Sequence, residues 1–401
     1  MDKLVYKKYL QRSEIRCLEP SKPQTEFSGA VVIPALAEYD FLPETLEALV
    51  KCQPARNSTA VVVVVNSSRE TPTEKIAENE TTLAALRNGN TDFCGGLAGG
   101  RELFWIDANS PGKQISPSGG VGEARKTGMD SCLQYFEAKT LHEKLFFCLD
   151  ADTLVSENYL SAAYEFFRRN KDTQAATVNF SHRAGQTKAE HKAIELYEKF
   201  MRYYVRGLEF AGSPYAFYAL GSAIICRAEA YIRTGGMRAR NGGEDFYFMQ
   251  AVCKFGRCGI IENALVRPSA RPSDRVPFGT GPKVREIING HELLFYNPEI
   301  FRNLKTLLET VNKLTELEEF SALPEILTAN CDAESRKFLE QNNFNIVWQK
   351  IFRNTKPESI YLKKAFHTWF DAFRTLKYIH FCEKKYPRQT ADKLPHQLKY
   401  D

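Results

Sequence analysis

Leu145-Phe146-Phe147-Cys148-Leu149-Asp150-Ala151-Asp152-Thr153 is the stretch that decides the fold. An apolar run of strand length ends abruptly in two aspartates one residue apart. Such a run reads as a strand buried on both faces, as in a parallel sheet covered by helices. The carboxyl ends of these strands border the crevice where open α/β sheets take their ligands. Two hard carboxylate oxygens on a turn there suit Mg2+ or Mn2+ carrying a phosphorylated substrate, and the substrate class that follows is a nucleotide diphosphate. The motif is short, and aspartate is also common past a strand as a turn residue or helix N-cap. Its metal reading therefore draws its weight from the rest of the chain.

Outward from this stretch, strand and helix patterns alternate. Gly29 to Ala35 (GAVVIPA) and Thr59 to Val65 (TAVVVVV) read as buried strands, the second β-branched almost throughout. Leu103 to Asp107 is a short third strand, Leu145 to Leu149 the fourth and Ala175 to Phe180 the fifth. Helical spacing runs over Leu42 to Val50, with Pro43 near its start, over Gly122 to Phe136, and over Ser156 to Arg169 with Ser156 as N-cap. This alternation predicts an α/β fold: a Rossmann-like, mostly parallel sheet with helices on both faces.

Beyond it, Lys188 to Phe210 is a long amphipathic helix with Tyr197, Phe200, Tyr203 and Tyr204 on one side. Ala216 to Arg227 is strand-like and Gly243 to Phe255 helical. Val266 to Lys283 is rich in Arg, Pro and Gly and reads as a loop. Arg267, Arg271 and Arg275 have the spacing of a helix face, but Pro268 and Pro272 forbid a helix. From Val284 onward only helical patterns follow, so an all-helical C-terminal region is expected.

Composition narrows the class. The 401 residues are 43% hydrophobic and 26% charged, ordinary for a globular protein long enough for one large core or two domains. The net charge of +5, from 54 basic and 49 acidic residues, lacks the concentrated basic face of a nucleic-acid binder. Ten cysteines form no CxxC pair, and Cys148, Cys226 and Cys253 sit in apolar runs as small hydrophobes, which points to a reducing compartment and no zinc site. Met1 to Arg16 is charged with no apolar segment of signal type, and no window has the length of a membrane span, so a cytoplasmic location is expected.

Four segments at strand ends or in loops carry chemistry: Ile33-Pro34-Ala35-Leu36-Ala37-Glu38, Asn66-Ser67-Ser68, Asp150-Ala151-Asp152, and Gly242-Gly243-Glu244-Asp245-Phe246. With GVGEARKTGMD before the fourth strand and GSAIICRAEAYIRTGGM before the last segment, their order and spacing resemble the GT-A glycosyltransferases, most closely the large family 2 of inverting, DxD-containing enzymes. The likeness covers roughly Gly29 to Lys283.

The resemblance implies a catalytic domain over residues 25–285, after an extension at 1–24, with a nucleotide-binding half at 25–155 and an acceptor half at 156–285. Residues 286–401 would be a helical accessory region. It implies that Pro34, Ala35 and Glu38 line the nucleotide pocket and that Arg125 sits near the diphosphate. Asp152 would be the direct ligand of Mn2+ or Mg2+, with Asp150 nearer the ribose and the metal's water. Glu244 and Asp245 would lie at the acceptor site, with Asp245 as base. Asn66 stands where the family usually has a base-contacting aspartate, a departure that bears on donor choice, although an amide both donates and accepts. Apart from the resemblance, the basic loop that carries Arg271 and Arg275 reads as a lid over the donor or a grip on an anionic acceptor, with solvated surface charge as the plainer alternative.

The chemistry of these roles stands on its own. Sugar transfer needs the leaving diphosphate neutralised, by a cation and an arginine, and a carboxylate to take the acceptor's proton. The expected function is transfer from a nucleotide-diphosphate sugar, UDP-linked in preference to GDP-linked, to a hydroxyl of a carbohydrate or lipid-linked acceptor. Inversion is implied, while some GT-A enzymes with similar motifs retain configuration. A sugar-nucleotide nucleotidyltransferase would want a Gly-rich basic loop after the first strand, which Ala35-Leu36-Ala37-Glu38 lacks. A glycosidase would want two carboxylates flanking a glycosidic bond rather than a metal motif. A non-catalytic binding protein of the same fold is the remaining alternative.

Each motif also has a plainer reading. The acids at 244 and 245 suit any helix N-terminus, and Gly119-Gly120-Val121-Gly122 matches no phosphate-loop pattern and reads as a turn. His182 and His291 are the histidines of interest, the second as a third metal ligand by analogy, although no flanking motif supports it. Tyr361, Phe366, Trp369, Phe370, Phe373 and Tyr378, interleaved with Lys363, Lys364, Arg374 and Lys377, read as a core-packing stripe; the alternative is a peripheral contact with the inner face of a membrane.

Overall fold

A computed structural model describes residues 1–20, 27–52, 59–90, 93, 103–185, 187–240, 242–271 and 279–394. It forms two compact units: Met1–Ile194 with Ala219–Arg285, and Glu195–Tyr218 with Glu286–Asp401.

In the first unit the elements run α1 (Lys3–Arg12), β1 (Gly29–Ala35), α2 (Leu42–Lys51), β2 (Thr59–Asn66), α3 (Thr73–Arg87), β3 (Leu103–Ala108), α4 (Gly120–Leu133), β4 (Leu145–Cys148), β5 (Leu154–Val155), α5 (Tyr159–Arg169) and β6 (Thr173–Phe180). Helix α6 (Lys188–Phe210) contributes residues to both units. The first unit resumes with β7 (Ile224–Arg227), α7 (Ala228–Arg233), α8 (Glu244–Phe255) and β8 (Arg257–Arg267). Helix α9 (Thr280–Ile288) crosses the boundary to the second unit.

The eight strands form one sheet in the order β3-β2-β1-β4-β7-β6-β8-β5. Strands β3, β2, β1 and β4 are mutually parallel, and every residue of β1 and β2 is buried. Their Val, Ile and Ala side chains pack on both faces, the sequence signature of strands covered on two sides. Parallel pairing in this register puts Ala35, Asn66, Ala108 and Cys148 at one edge. Strand β7 runs antiparallel to β4, pairing Phe147 with Ile225 and Leu145 with Arg227. It therefore starts at that same edge, and the turn Gly221–Ala223 just before it stands there too. Helix α4 lies across β1 and β2 so closely that a Cβ on Gly128 would meet Val32 Cγ1 at 2.4 Å and Val64 Cγ2 at 2.9 Å. Arg125, three residues earlier on the same helical face, then points toward the carboxyl edge.

The second unit is helical: α10 (Pro298–Lys313), α11 (Leu317–Ser321), α12 (Leu323–Asn330), α13 (Ala333–Gln341), α14 (Phe344–Asn354), α15 (Ser359–Trp369) and α16 (Ala372–Cys382). Its core gathers Tyr203, Phe295, Phe301, Trp348, Phe366 and Tyr378. Phe366, Phe370 and Tyr378 of the aromatic stripe are thus core residues, while Tyr361 and Phe373 are exposed. Among the described residues no helix is long and apolar enough to cross a membrane.

The structure corrects several local expectations. Helix α5 starts at Tyr159 rather than Ser156; the Ser156 hydroxyl instead accepts the Leu265 N–H at 3.0 Å, which ties β5 to β8. Only Ile224–Arg227 of the segment 216–227 is a strand, because Gly221 turns against the Arg125 side chain. The expected loop from Val266 is strand to Arg267 and helix from Thr280; Arg275 and Pro272 lie outside the described residues. Cys253, read as a lone small hydrophobe, is disulfide-bonded to Cys258, joining the end of α8 to the start of β8. Helices α1 and α3 and strands β5 and β8 had no counterpart in the reading of the sequence.

Candidate functional site

Five carboxylates and two guanidiniums converge at the carboxyl edge of β1 and β4. Arg125 is the first hub. It is 2% exposed, and it donates through Nη1 to Glu244 Oε1 and through Nη2 to Asp150 Oδ1. The guanidinium lies flat on Gly221, where a Cβ would stand 2.6 Å from Nη2. A side chain at 221 would displace it. Burial alone would pull the Arg125 pKa down, but the facing Asp150 and Glu244 carry it above its ordinary value.

Arg271 is the second hub. Its Nη2 lies 2.6 Å from each carboxylate oxygen of Glu38, which is buried in the loop after β1. Its Nε donates to Asp152 Oδ2 at 3.0 Å, and its guanidinium covers the Phe41 ring at 4.1 Å. Planar stacking with two acidic partners is guanidinium chemistry that an ammonium does not reproduce. The turn Asp150-Ala151-Asp152 joins the two hubs and is itself held by the Thr45 hydroxyl, which donates to the Ala151 carbonyl at 2.8 Å.

The acidic pair on α8 divides its tasks. Glu244 is buried and committed to Arg125; burial raises its carboxyl to about 6, with Arg125 opposing and Asp245 adding to the rise. Asp245 is raised too, by burial first and by Asp150, against the pull of its own Phe246 N–H and of Arg125. One Asp245 oxygen accepts that N–H at 2.7 Å. Gly243, at φ 71°, makes the left-handed turn that launches this helix.

Asn66 ends β2, next to β1, and is 4% exposed. Its Oδ1 has no hydrogen-bond partner among the described residues, nor do Arg125 Nε, Thr153 Oγ1 and Ser222 Oγ. Buried polar atoms without partners are rare in native proteins, and four of them on the segments that build this edge mark it as a place where a polar ligand or water belongs. Pro34 and Ala35 lie within β1 with buried side chains, so this edge meets them as backbone.

The arrangement can hold a cation. Among the described residues, five acids against two arginines leave an excess of negative charge, and a guanidinium already stands on Glu38 and Asp152 as a cation would. Among the described residues no three His, Cys, Asp or Glu side chains gather as a metal-holding group, so a divalent ion here would complete its shell with phosphate oxygens and water, as Mg2+ commonly does. His291 is exposed, its Nδ1 against the Glu286 carbonyl, and His182 packs edge-on to Phe180.

Sequence reasoning missed Asn79 and Asp107. Asn79, fully buried on α3, donates to the Asn66 carbonyl at 2.9 Å and to Asn109 Oδ1 at 3.0 Å, and accepts the Ala37 N–H at 2.9 Å. Asp107, at the end of β3, accepts the N–H groups of Asn109 and Ser110 and pairs with Arg87 and Lys113. Nothing in their sequence context separates them from surface polar residues.

No family model matches the chain, and no curated protein matches it. Among solved structures, S. aureus TarS 1–349 in complex with UDP-GlcNAc is 13% identical, with 81% of this chain and 90% of that one covered and a TM-score of 0.42. The mannosyltransferase PcManGT from Pyrobaculum calidifontis, in complex with GDP-Man and Mn2+, is 13% identical over 92% of this chain and 94% of that one, with a TM-score of 0.40. M. tuberculosis glucosyl-3-phosphoglycerate synthase is 13% identical over 65% and 78%, with a TM-score of 0.37. Likenesses this distant carry no weight here, and the function rests on the site.

Proposed function

We propose that this chain is a GT-A type glycosyltransferase that moves a sugar from a nucleotide diphosphate, UDP in preference to GDP, to an acceptor hydroxyl of a carbohydrate or lipid-linked molecule, inverting the anomeric centre. One observation carries the reading: Arg125 binds Asp150 and Glu244 at once, which brings the acidic start of α8 to the Asp-x-Asp turn. Donor-binding and proton-accepting groups then share one edge of the sheet, where open α/β folds bind ligands.

The residues divide as follows. Asn66 Oδ1, a buried acceptor in want of a donor, suits a base edge that offers an N–H, as uracil does. Arg125 and Arg271 face the diphosphate and offset the charge that grows on it as the sugar leaves. Asp152, with Asp150 and Glu38 beside it, would hold Mn2+ or Mg2+, which when bound supplies further neutralisation of the leaving group. Glu244 is spent on Arg125 and positions it. Both carboxyls of the pair have a raised affinity for protons, but Glu244 is held by Arg125 while Asp245 makes no ion pair among the described residues, which leaves Asp245 as the base toward the acceptor hydroxyl.

The test is release of nucleotide diphosphate from a panel of UDP- and GDP-sugars, with Asp245→Asn beside the wild type. Turnover of a UDP-sugar by the wild type, and its loss in the variant with UDP affinity kept, is the expected outcome. Equal turnover by both proteins would remove Asp245 from its role, and no turnover of any donor by the wild type would count against the transferase reading itself.

A further inference from the structure

The residue that organises the nucleotide end of this edge lies on none of the motifs. Asn79 sits on α3, behind the strand ends, and is 0% exposed. Both hydrogens of its amide are used, one on the Asn66 carbonyl and one on Asn109 Oδ1, and its oxygen takes the Ala37 N–H. One carboxamide thus ties the chain just past β1, the last residue of β2 and the residue just past β3. An apolar side chain of the same shape would fill the space but strand the buried Asn66 carbonyl and Asn109 Oδ1 and the half-buried Ala37 N–H.

What it holds at β1 is unusual. Ala37 has φ 53°, the left-handed region that residues with a Cβ seldom occupy. A left-handed alanine persists only where its surroundings dictate it. The next N–H of this loop to be pinned from α3 is that of Tyr39, which donates to Glu78 Oε1 at 3.1 Å. Between the two anchors lies Glu38, which carries Arg271.

We infer that Asn79 is a positioning residue for the nucleotide: it locks the Ala37 turn to the end of β2, so that Glu38 and Asn66 stand at a fixed spacing before any ligand arrives. The inference rests on the proposed roles of Asn66 as the base contact and of Glu38 beside the acids that would hold the metal of the diphosphate. It makes Ala37 and Asn79 energetically coupled, although neither side chain touches the ligand. A glycine at 37 adopts the left-handed turn without help, so it removes part of the need for Asn79. A valine at 37 cannot adopt it and should imitate loss of Asn79 while leaving the buried amide in place.

The experiment is calorimetric titration of UDP, with Mn2+ present, into wild type, Asn79→Ala, Ala37→Gly, Ala37→Val and the double variant Ala37→Gly/Asn79→Ala, with a thermal melt of each. Expected are a loss of affinity of roughly tenfold in Asn79→Ala and in Ala37→Val, the change that one lost hydrogen bond to a fixed loop brings. Ala37→Gly should bind as the wild type does, and the double variant should bind about threefold more tightly than Asn79→Ala. Wild-type affinity in Asn79→Ala or in Ala37→Val would overturn the inference. So would a loss in Asn79→Ala that glycine at 37 does not recover, since a merely structural amide would behave that way. Failure of the wild type to bind UDP would strike the proposed function instead.

Discussion

Replacing Arg125 with methionine isolates the charge at the centre of the site. The side chains have similar length, so the change removes a guanidinium that is 2% exposed and leaves its two partners facing apolar atoms. Asp150 has a side chain 39% exposed, and water takes over most of its solvation; that of Glu244 is 5% exposed and has no such recourse. Breaking a buried ion pair by deleting one partner costs about 3–5 kcal/mol, and one partner being half in water puts the expectation near the lower end, about 3 kcal/mol. This is a large part of the roughly 5–15 kcal/mol by which native proteins are stable. The cost must depend on pH in one direction. With Arg125 present, the Glu244 carboxyl stands at about 6 against an ordinary 4.5. Without Arg125, whose charge holds it down, it rises further. A carboxyl raised in the folded state gives stability that is full below its unfolded value and is lost as pH climbs through its folded value. Each pH unit over which the folded protein holds that extra proton changes stability by about 1.4 kcal/mol. The deficit of Arg125→Met should therefore be about 3 kcal/mol at pH 8 and about 1 kcal/mol at pH 5. Urea melts followed by circular dichroism at the two pH values measure it. A deficit that is the same at both, or larger at pH 5, would refute the reasoning.

Other perturbations read other parts of the structure. Asp107 is lowered to about 2 because hydrogen bonds from Ser110 and Asn109, with Lys113, overcome its burial; a lowered carboxyl stabilises above its unfolded value of 3.8 and loses that contribution as pH falls through about 2. Asp107→Asn should cost about 2 kcal/mol at pH 7 in a urea melt and should flatten the acid limb of stability below pH 4; an unchanged limb would contradict this. Gly128→Ala places a methyl 2.4 Å from Val32 Cγ1 on a central strand, and a loss of about 1–3 kcal/mol is expected in thermal melts, against the gain alanine brings to an open helix. Arg271→Gln removes the cation that stands on Asp152, so the ligand-free protein should bind Mn2+ roughly tenfold more tightly by spin-resonance titration, from about 1–2 kcal/mol of screened repulsion relieved. Weaker binding would mean that Arg271 and the metal do not compete.

What was legible in the sequence was whatever a single segment carries by itself. Strands β1 to β4 announce themselves as runs such as VVVVV and LFFC, because burial on both faces admits only apolar residues. The aspartates after β4 and the acids that open α8 are legible because their residue types have few other uses together. Helix α3 is not: it buries Asn79, Thr82, Leu83, Ala85 and Leu86, a face half polar, and so shows no apolar stripe to a periodicity search. Strand β8 alternates buried and exposed positions irregularly, since it pairs with β6 through bulges and with β5 over two residues only. The reversal of β7 is set by non-local pairing. So is the commitment of Asp150 to Arg125 and of Asp152 to Arg271, which no spacing in the sequence encodes. The bond from Cys253 to Cys258 is hidden for a different reason: the apolar run around Cys253 is what a small buried hydrophobe would show, and the turn that brings α8 back to β8 is what sets the pairing.

The most direct measurement is calorimetric titration of UDP and of GDP into the wild type and Asp152→Ala, each with and without Mn2+. UDP binding that requires Mn2+, exceeds that of GDP and disappears in Asp152→Ala is the result expected of a metal-dependent UDP-sugar transferase. If neither nucleotide binds, with or without the metal, the edge where Arg125 gathers Asp150 and Glu244 is not a donor site, and the proposed function falls with it.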